Sequence, residues 1–111
     1  MDTATKQAFI RSCTQGSAIA VRWSQHAIAK LIVENLTRTS VELALSSSEI
    51  IEDYPTTHRP LPDCLVLAKI AADAIHAVVA IDQSSSRIFI ITVYRPDPRR
   101  WMNDYRTRIT Q

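Results

Sequence analysis

Residues 75–81 and residues 87–94 are two apolar runs, rich in β-branched residues, on either side of a short polar break. This pattern predicts a β-hairpin. His76 lies near the start of the first run, and Thr92 and Tyr94 lie at the end of the second. Because a hairpin brings its outer ends together, we expect an imidazole, a hydroxyl and a phenol to converge at one end of a rigid sheet.

The register of this hairpin decides whether the polar groups meet. Side chains of a strand alternate between the two faces of a sheet, and directly paired residues share a face. If Asp82 pairs with Arg87 across a four-residue loop, His76 faces Val93, and Tyr94 points to the opposite side. A loop of three or five residues, or a β-bulge, puts His76 and Tyr94 on one face. The sequence leaves these alternatives open.

The composition is that of one folded domain, residues 1–111, with 46% hydrophobic and 22% charged residues. No apolar stretch reaches the roughly 18 to 20 residues of a membrane span, and the N-terminus does not resemble a signal peptide. A single glycine, Gly16, excludes glycine-rich phosphate loops. Cys13 and Cys64 are isolated, which favours reduced thiols in a cytoplasmic protein.

Charge is unevenly distributed along the chain. Residues 34–73 hold seven acids and three bases, a balance of −4, whereas residues 95–108 hold five arginines and two acids, a balance of +3. The basic end indicates either a surface that faces nucleic acid or an ordinary solvated helix. Both interpretations stay open at the level of sequence.

Helical spacing and capping residues predict three N-terminal helices. Thr3 or Thr5 is the expected cap of the first, Ser24 of the second, and Thr37 or Thr39 starts the third. The first two helices are expected over residues 3–13 and 25–34, and residues 18–23 form an extended lead-in to the second.

The rest of the chain predicts a sheet and one further helix. Two strands (residues 50–54 and 64–70) flank a proline-rich loop at residues 55–62 and precede the hairpin. Pro98 is well placed to begin a final helix at residues 99–108, on which Trp101 would pack on the sheet. The predicted fold class is α+β: N-terminal helices followed by a four-stranded antiparallel sheet and a C-terminal helix.

Four motifs occur in order along the chain: Ser24-Gln25-His26-Ala27, Pro62-Asp63-Cys64-Leu65, His76-Ala77-Val78-Val79 and Thr92-Val93-Tyr94-Arg95-Pro96. With residues 50–54 and Trp101, they resemble the bacterial domain-of-unknown-function 4258 family over about residues 20–108. That family is similar to the RelE-like toxins of the barnase–colicin–RelE ribonuclease-like superfamily.

The resemblance implies a RelE-like sheet with N-terminal helices and metal-independent cleavage of RNA, with no cofactor. It also implies a toxin–antitoxin pair. The substrate is RNA, either free or on the ribosome, and the protein partner is a small antitoxin, often of the zinc-finger type. Functional residues carry over to His26, His76, Thr92 and Tyr94 as motif matches.

Such cleavage needs a base for the 2′-hydroxyl proton, an acid for the 5′-oxygen and cations for the charge on phosphorus. Histidine suits either proton-transfer role. The three histidines offer no close-spaced pair of metal ligands, so no metal site is expected. The predicted catalytic residues are His26, His76 and Tyr94, and the predicted phosphate-binding residues are Lys30, Thr92 and Arg95.

Each candidate also has a structural interpretation. His76, set among apolar residues, could be a sheet residue satisfied by a hydrogen bond, and His26 lies in the first turn of a helix. Glu52 and Tyr54 are weaker candidates, a solvated carboxylate and an edge-strand residue. His58 is expected to be merely exposed.

Two departures from the family pattern keep a second function open. Family members usually have an arginine late in the first motif helix, where this chain has Glu34 and Asn35. They usually have glycine and arginine before the second motif histidine, where this chain has residues 71–74, Ala-Ala-Asp-Ala. Fewer cations predict weaker phosphate binding, so the alternative is a non-catalytic RNA- or protein-binding module on the same fold.

Overall fold

The computed structural model describes residues 1–16, 20–54 and 60–110. These residues form three α-helices and a five-stranded mixed sheet. None of the described helices is long and apolar enough to cross a membrane. In chain order the elements are α1 (Thr3–Gln15), β1 (Val21–Trp23), α2 (Gln25–Glu34), α3 (Arg38–Leu45), β2 (Glu49–Tyr54), β3 (Asp63–Ile70), β4 (Asp73–Asp82) and β5 (Arg87–Tyr94).

Each helix begins after a side chain that accepts a hydrogen bond from a backbone N–H of the first turn. Asp2 is this cap for α1, Ser24 for α2 and Thr37 for α3. The prediction of Ser24 is confirmed. The prediction of Thr3 or Thr5 for α1 is wrong, because the Asp2 carboxylate accepts from the Thr5 N–H at 2.7 Å.

The sheet has the strand order β1-β5-β4-β3-β2. The last four strands form an antiparallel meander, and β1 pairs with β5 in parallel orientation. The predicted four-stranded antiparallel sheet is therefore wrong. Residues 21–23 of the expected lead-in are the fifth strand, while residues 18 and 19 lie outside the described part of the chain. The sequence around residues 21–23 does not predict this short strand, because its partner strand, β5, is distant in the sequence.

The three helices pack on one face of the sheet. Alternate side chains of β3, β4 and β5 point toward them, as strand geometry requires. Cys13 and Cys64 are free thiols in this core, and burial raises the pKa of both, that of Cys64 to about 12. The aliphatic residues of this core include Ile10, Val21, Leu31, Val41, Leu45, Val66, Ile75, Val79, Ile81, Ile88, Ile90 and Val93.

Residues 95–110, the C-terminal strap, contain no helix, so the predicted helix at residues 99–108 is wrong. A single turn forms where the Asp97 carbonyl accepts from the N–H groups of Arg100 and Trp101. Asp104 then accepts from the N–H of Arg106 at 2.9 Å, and Tyr105 has a φ of 57°. Local side-chain hydrogen bonds of this kind compete with a helix and favour turns.

The strap crosses the face of the sheet opposite the helices. Trp101 is 4% exposed, and the guanidinium of Arg108 lies 4.6 Å from the centre of its ring. Arg108 binds both carboxylate oxygens of Glu52, and Arg106 pairs with Glu49 at the start of β2. The basic strap therefore neutralises acids of the preceding sheet, which explains much of the uneven charge distribution within the molecule itself.

Replacing Trp101 with alanine is expected to lower the free energy of unfolding by about 3 to 5 kcal/mol, because it empties a buried site between strap and sheet. Urea denaturation followed by circular dichroism measures this change. The matched control is Met102→Ala, at a neighbouring side chain that is 51% exposed. The control should stay within about 0.5 kcal/mol of the parent, and equal losses in the two variants would contradict this packing.

Candidate functional site

A β-bulge in β5 determines which polar side chains meet. Asp82 pairs with Arg87, so the hairpin loop has the four-residue form. Further along, Val78 pairs with Thr92 but Val79 pairs with Ile90, which leaves Ile91 as an extra residue. The extra residue reverses the parity of the strand, so that His76 lies directly opposite Tyr94. Of the alternatives that the sequence left open, the structure has the bulge.

His76 is fully buried beneath the strap. Its Nε2–H donates to the carbonyl oxygen of Tyr105 at 2.8 Å, because a carbonyl can only accept. Its Nδ1 therefore accepts from the Tyr94 hydroxyl at 3.2 Å. Trp101 stacks edge-on against the imidazole, with ring centres 4.5 Å apart. Burial lowers the pKa of His76, so the neutral ring is favoured.

Tyr94 is half-buried and directs its proton to His76. Burial raises the pKa of the Tyr94 phenol, which keeps it protonated. In this arrangement the hydroxyl proton is already engaged, and only the lone pairs of the phenolic oxygen remain for another group. His76 and Tyr94 thus form a positioned pair, and His76 is separated from solvent by Trp101 and Tyr105.

Glu52 and Tyr54 belong to the contact between β2 and the strap. Arg108, the main cause, lowers the pKa of Glu52, so this carboxylate stays ionised and paired. Tyr54 donates to Glu52 at 2.8 Å, and burial and the Glu52 charge raise its pKa to about 12. A carboxylate held by two hydrogen bonds from one guanidinium is a poor general base. We therefore assign these residues a structural role.

A second pair of polar groups lies at the surface. His26 is exposed, and its Nε2 lies 3.0 Å from the hydroxyl oxygen of Thr92. Ser24 produces this contact, because its hydroxyl accepts from the Ala27 N–H at 2.9 Å and donates to the Ile91 carbonyl at 2.8 Å. The cap of α2 is thus attached to the bulge. The first turn of α2 presents His26 to Thr92, the residue of β5 that follows Ile91.

The two predicted cations are placed differently. Lys30 lies four residues after His26 on α2, hence on the same side of the helix, and makes no hydrogen bond or ion pair with any described residue. Arg95 instead closes the C-terminus of α2. Its Nε donates to the Glu34 carbonyl at 2.9 Å, and its guanidinium lies 3.6 Å from the Asp73 carboxylate.

The structure therefore separates the predicted site into two parts along β5. Thr92 and Tyr94 are two residues apart, about 7 Å along a strand. The exposed part holds His26, Lys30 and Thr92, and the buried part holds His76 and Tyr94. His58 lies outside the described residues. In the described ranges, no three side chains of the kinds that bind metals come together.

Sequence reasoning missed the residues that close the buried part. Tyr105 contributes its backbone carbonyl, which no sequence pattern marks. Ser24 was identified as a helix cap, but its bond to Ile91 could not be seen without the parallel pairing of β1 with β5. The turn-forming pair Asn103-Asp104 was a usable signal against a helix in the strap.

The described architecture is a small α+β domain with three helices on one face of a mixed sheet and an irregular strap on the other. The family model described as "Domain of unknown function (DUF4258)" matches residues 23–95, well over half of the chain. The chain therefore belongs to the DUF4258 family. No curated protein and no solved structure matches it.

The buried histidine predicts a defined pH dependence of stability. The unfolded chain binds a proton near the ordinary histidine pKa of about 6.5, whereas folded His76, with its lowered pKa, binds one only at lower pH. Its contribution to stability is complete above about pH 6.5 and is lost as the pH falls through the folded pKa.

The His76→Gln variant lacks this pH-dependent contribution to the free energy of unfolding. The variant is expected to be less stable than the parent at about pH 8, and the difference should shrink as the pH falls below about 6.5. Urea denaturation of both proteins across this range measures the difference. A difference that is constant with pH would contradict a buried, neutral His76.

Proposed function

We propose that this protein is a metal-independent ribonuclease of the RelE-like toxin type, with His26 as its proton-transfer group. The observation that supports the proposal best is the contact between the exposed His26 imidazole and the Thr92 hydroxyl, with Lys30 on the same side of α2. An imidazole, a hydroxyl and an ammonium at one surface site are suited to a phosphodiester. The motif matches at His26 and Thr92 add to this support.

In the proposed reaction, the ribose 2′-oxygen attacks the adjacent phosphorus while the bond from phosphorus to the 5′-oxygen breaks. His26 takes the 2′-hydroxyl proton, and water gives a proton to the departing 5′-oxygen. The products are a 2′,3′-cyclic phosphate and a 5′-hydroxyl end. Lys30 stabilises the negative charge that develops on the phosphate oxygens, and Thr92 orients one of them.

His76 and Tyr94 act through position in this proposal. His76 is buried and has both ring nitrogens bonded, so it does not touch RNA while the strap is in place. It holds the phenol of Tyr94 two residues beyond Thr92 on the same face. From there the Tyr94 oxygen can accept a hydrogen bond from a bound nucleotide. The proposal therefore uses a single surface histidine, where the sequence suggested an acid–base pair of two histidines.

A toxin of this type acts within a pair, so we further propose a small antitoxin as the protein partner, which the family resemblance suggests to be of the zinc-finger type. The neighbouring gene tests this directly. A small zinc-finger or helix-turn-helix protein encoded beside this chain, whose co-expression restores growth, is the expected result. Growth inhibition that no neighbouring product relieves would argue against a toxin–antitoxin pair.

Substitution His26→Ala is expected to reduce RNA cleavage by about 100- to 10,000-fold, the range for loss of a proton-transfer group. Cleavage of a labelled single-stranded RNA, with the cyclic-phosphate product identified, measures the effect. Circular dichroism should show an unchanged fold, because His26 is exposed. Lys30→Ala should also reduce cleavage, through loss of the charge near phosphate.

Two matched controls accompany these variants. His58→Ala removes the third histidine of the sequence, and Lys69→Ala removes an exposed lysine near the C-terminal end of β3, two strands away from β5 in the sheet. Both are expected to cleave RNA at the parent rate. A parent protein that neither cleaves RNA nor slows growth, or a fully active His26→Ala, would refute the catalytic proposal.

One observation favours a non-catalytic RNA-binding module as the second candidate. Arg95 is held by Glu34 and Asp73. These acids lie in the two segments where family members usually have arginine. Among the described residues, Lys30 is then the cation near the site that has no acidic partner. Binding of RNA without cleavage, steeply dependent on salt, is the outcome that this candidate requires.

Substitution Asp73→Asn tests how far these acids weaken phosphate binding. Loss of the carboxylate beside Arg95 should raise RNA affinity by roughly 2- to 5-fold at low salt, the range for one exposed ion pair. Fluorescence anisotropy with labelled RNA measures the change. The control, Asp104→Asn in the strap, removes the same charge away from Arg95 and should leave affinity nearly unchanged, while equal gains would indicate a general charge effect.

A further inference from the structure

The outward side of α2 is apolar. Ile28, Ile32 and Val33 are 42%, 84% and 72% exposed, while Ala27 and Leu31 face the core. Ile28 and Ile32 are four residues apart and are neighbours on one side of the helix. Val33 follows Ile32 about 100° around the helix, with the exposed Ala29 between them, so these side chains form one broad apolar stripe. A surface helix normally carries polar residues there, and a helix that is apolar on both sides is typical of a covered one.

Two cations without an acidic partner lie close to this stripe along the chain. Lys30 is on α2, three residues before Val33, and Arg38 follows at the start of α3. Neither forms an ion pair with a described residue, although Arg38 lies over the ring of Trp23. Four of the five strap arginines, by contrast, have acidic partners within the chain: Arg95, Arg99, Arg106 and Arg108.

The charge distribution argues against a second copy of the chain as the occupant. Glu34 is the one acid on α2, and it already accepts from the Arg95 N–H at 2.7 Å. Glu42, on the neighbouring helix, accepts from the indole N–H of Trp23 at 2.7 Å. Two copies packed α2 to α2 would bring apolar stripes together with cations on both sides and no free carboxylate from α2 between them.

We propose that the outward side of α2 binds an acidic amphipathic helix of a partner protein. The apolar residues of that helix pack on Ile28, Ile32 and Val33, and its flanking carboxylates face Lys30 and Arg38. Packing of this kind follows the helix-on-helix mode, in which a few apolar anchors at three- and four-residue spacing give most of the affinity. The charged rim determines which helices bind.

The position of this surface also predicts how a bound partner would affect activity. His26 and Lys30 lie along one flank of the stripe, so a helix seated on it covers the approach to the His26–Thr92 contact. This consequence rests on the proposed function: the partner would prevent RNA from reaching His26. The binding itself does not depend on catalysis and is tested separately.

The probe is a synthetic amphipathic peptide of about 20 residues, long enough to form helix on its own, with leucines on one side and glutamates flanking them. A second peptide has lysine in place of each glutamate. Fluorescence anisotropy with the full-length protein should show saturable binding of the acidic peptide and at least tenfold weaker binding of the basic one. The acidic peptide should also inhibit RNA cleavage in proportion to its occupancy.

Variants locate the surface. Ile32→Gln and Val33→Gln should each weaken acidic-peptide binding by roughly tenfold, since each removes a large apolar contact. Leu43→Gln is the matched control, because Leu43 is 72% exposed on the neighbouring helix. It should bind as the parent does. Circular dichroism of all three variants should show retained helix.

Several results would overturn the proposal: no binding of the acidic peptide, equal binding of both peptides, or equal loss in Leu43→Gln. A dimer in sedimentation equilibrium that Ile32→Gln dissociates would assign the surface to a second copy instead. Failure of the proposed function gives a different pattern, in which the acidic peptide binds the α2 surface but the parent protein cleaves no RNA.

Discussion

One extra residue in β5 organises the polar groups of this protein. The bulge at Ile91 reverses the parity of the strand, which places Tyr94 opposite His76. It also presents the Ile91 carbonyl to the hydroxyl of Ser24, the cap of α2. A bulge interrupts the ladder, so its carbonyl needs another partner. The same serine thus satisfies the bulge, starts the helix and sets the distance from His26 to Thr92.

The strap covers the face of the sheet that the helices do not cover. Exposed ion pairs contribute little each, commonly below about 1 kcal/mol, so Arg106 and Arg108 define where the strap lies more than how firmly it is held. Burial of Trp101 against His76 accounts for most of its attachment. The arginine-rich residues 95–108, for which the sequence left open a surface facing nucleic acid or a solvated helix, are in the folded chain largely complementary to its own acidic sheet.

The sequence predicts those features that depend on neighbouring residues. The hairpin runs, the Ser24 cap and the bounds of α2 depend on local pattern, and all are present. The parity of β5 depends on a bulge that a distant strand and helix stabilise, so local alternation could not decide it. The strap shows the converse error: Trp101 and Tyr105 have helical spacing, but the side chains of Asp97 and Asp104 accept from the backbone N–H groups that follow them and favour separate turns.

The two histidines illustrate why motif matches alone do not define a site. His76 and His26 both carry motif matches, yet burial makes the first a neutral support for Tyr94, and exposure leaves the second accessible to solvent. A phosphodiester brings negative charge, so the nearby cations decide what His26 can do. Because Glu34 and Asp73 hold Arg95, the charge available beside His26 comes from Lys30. Under the proposed function, the balance between cleavage and simple binding of RNA depends on the unpaired ammonium group of Lys30, beside a helix whose apolar side is suited to being covered.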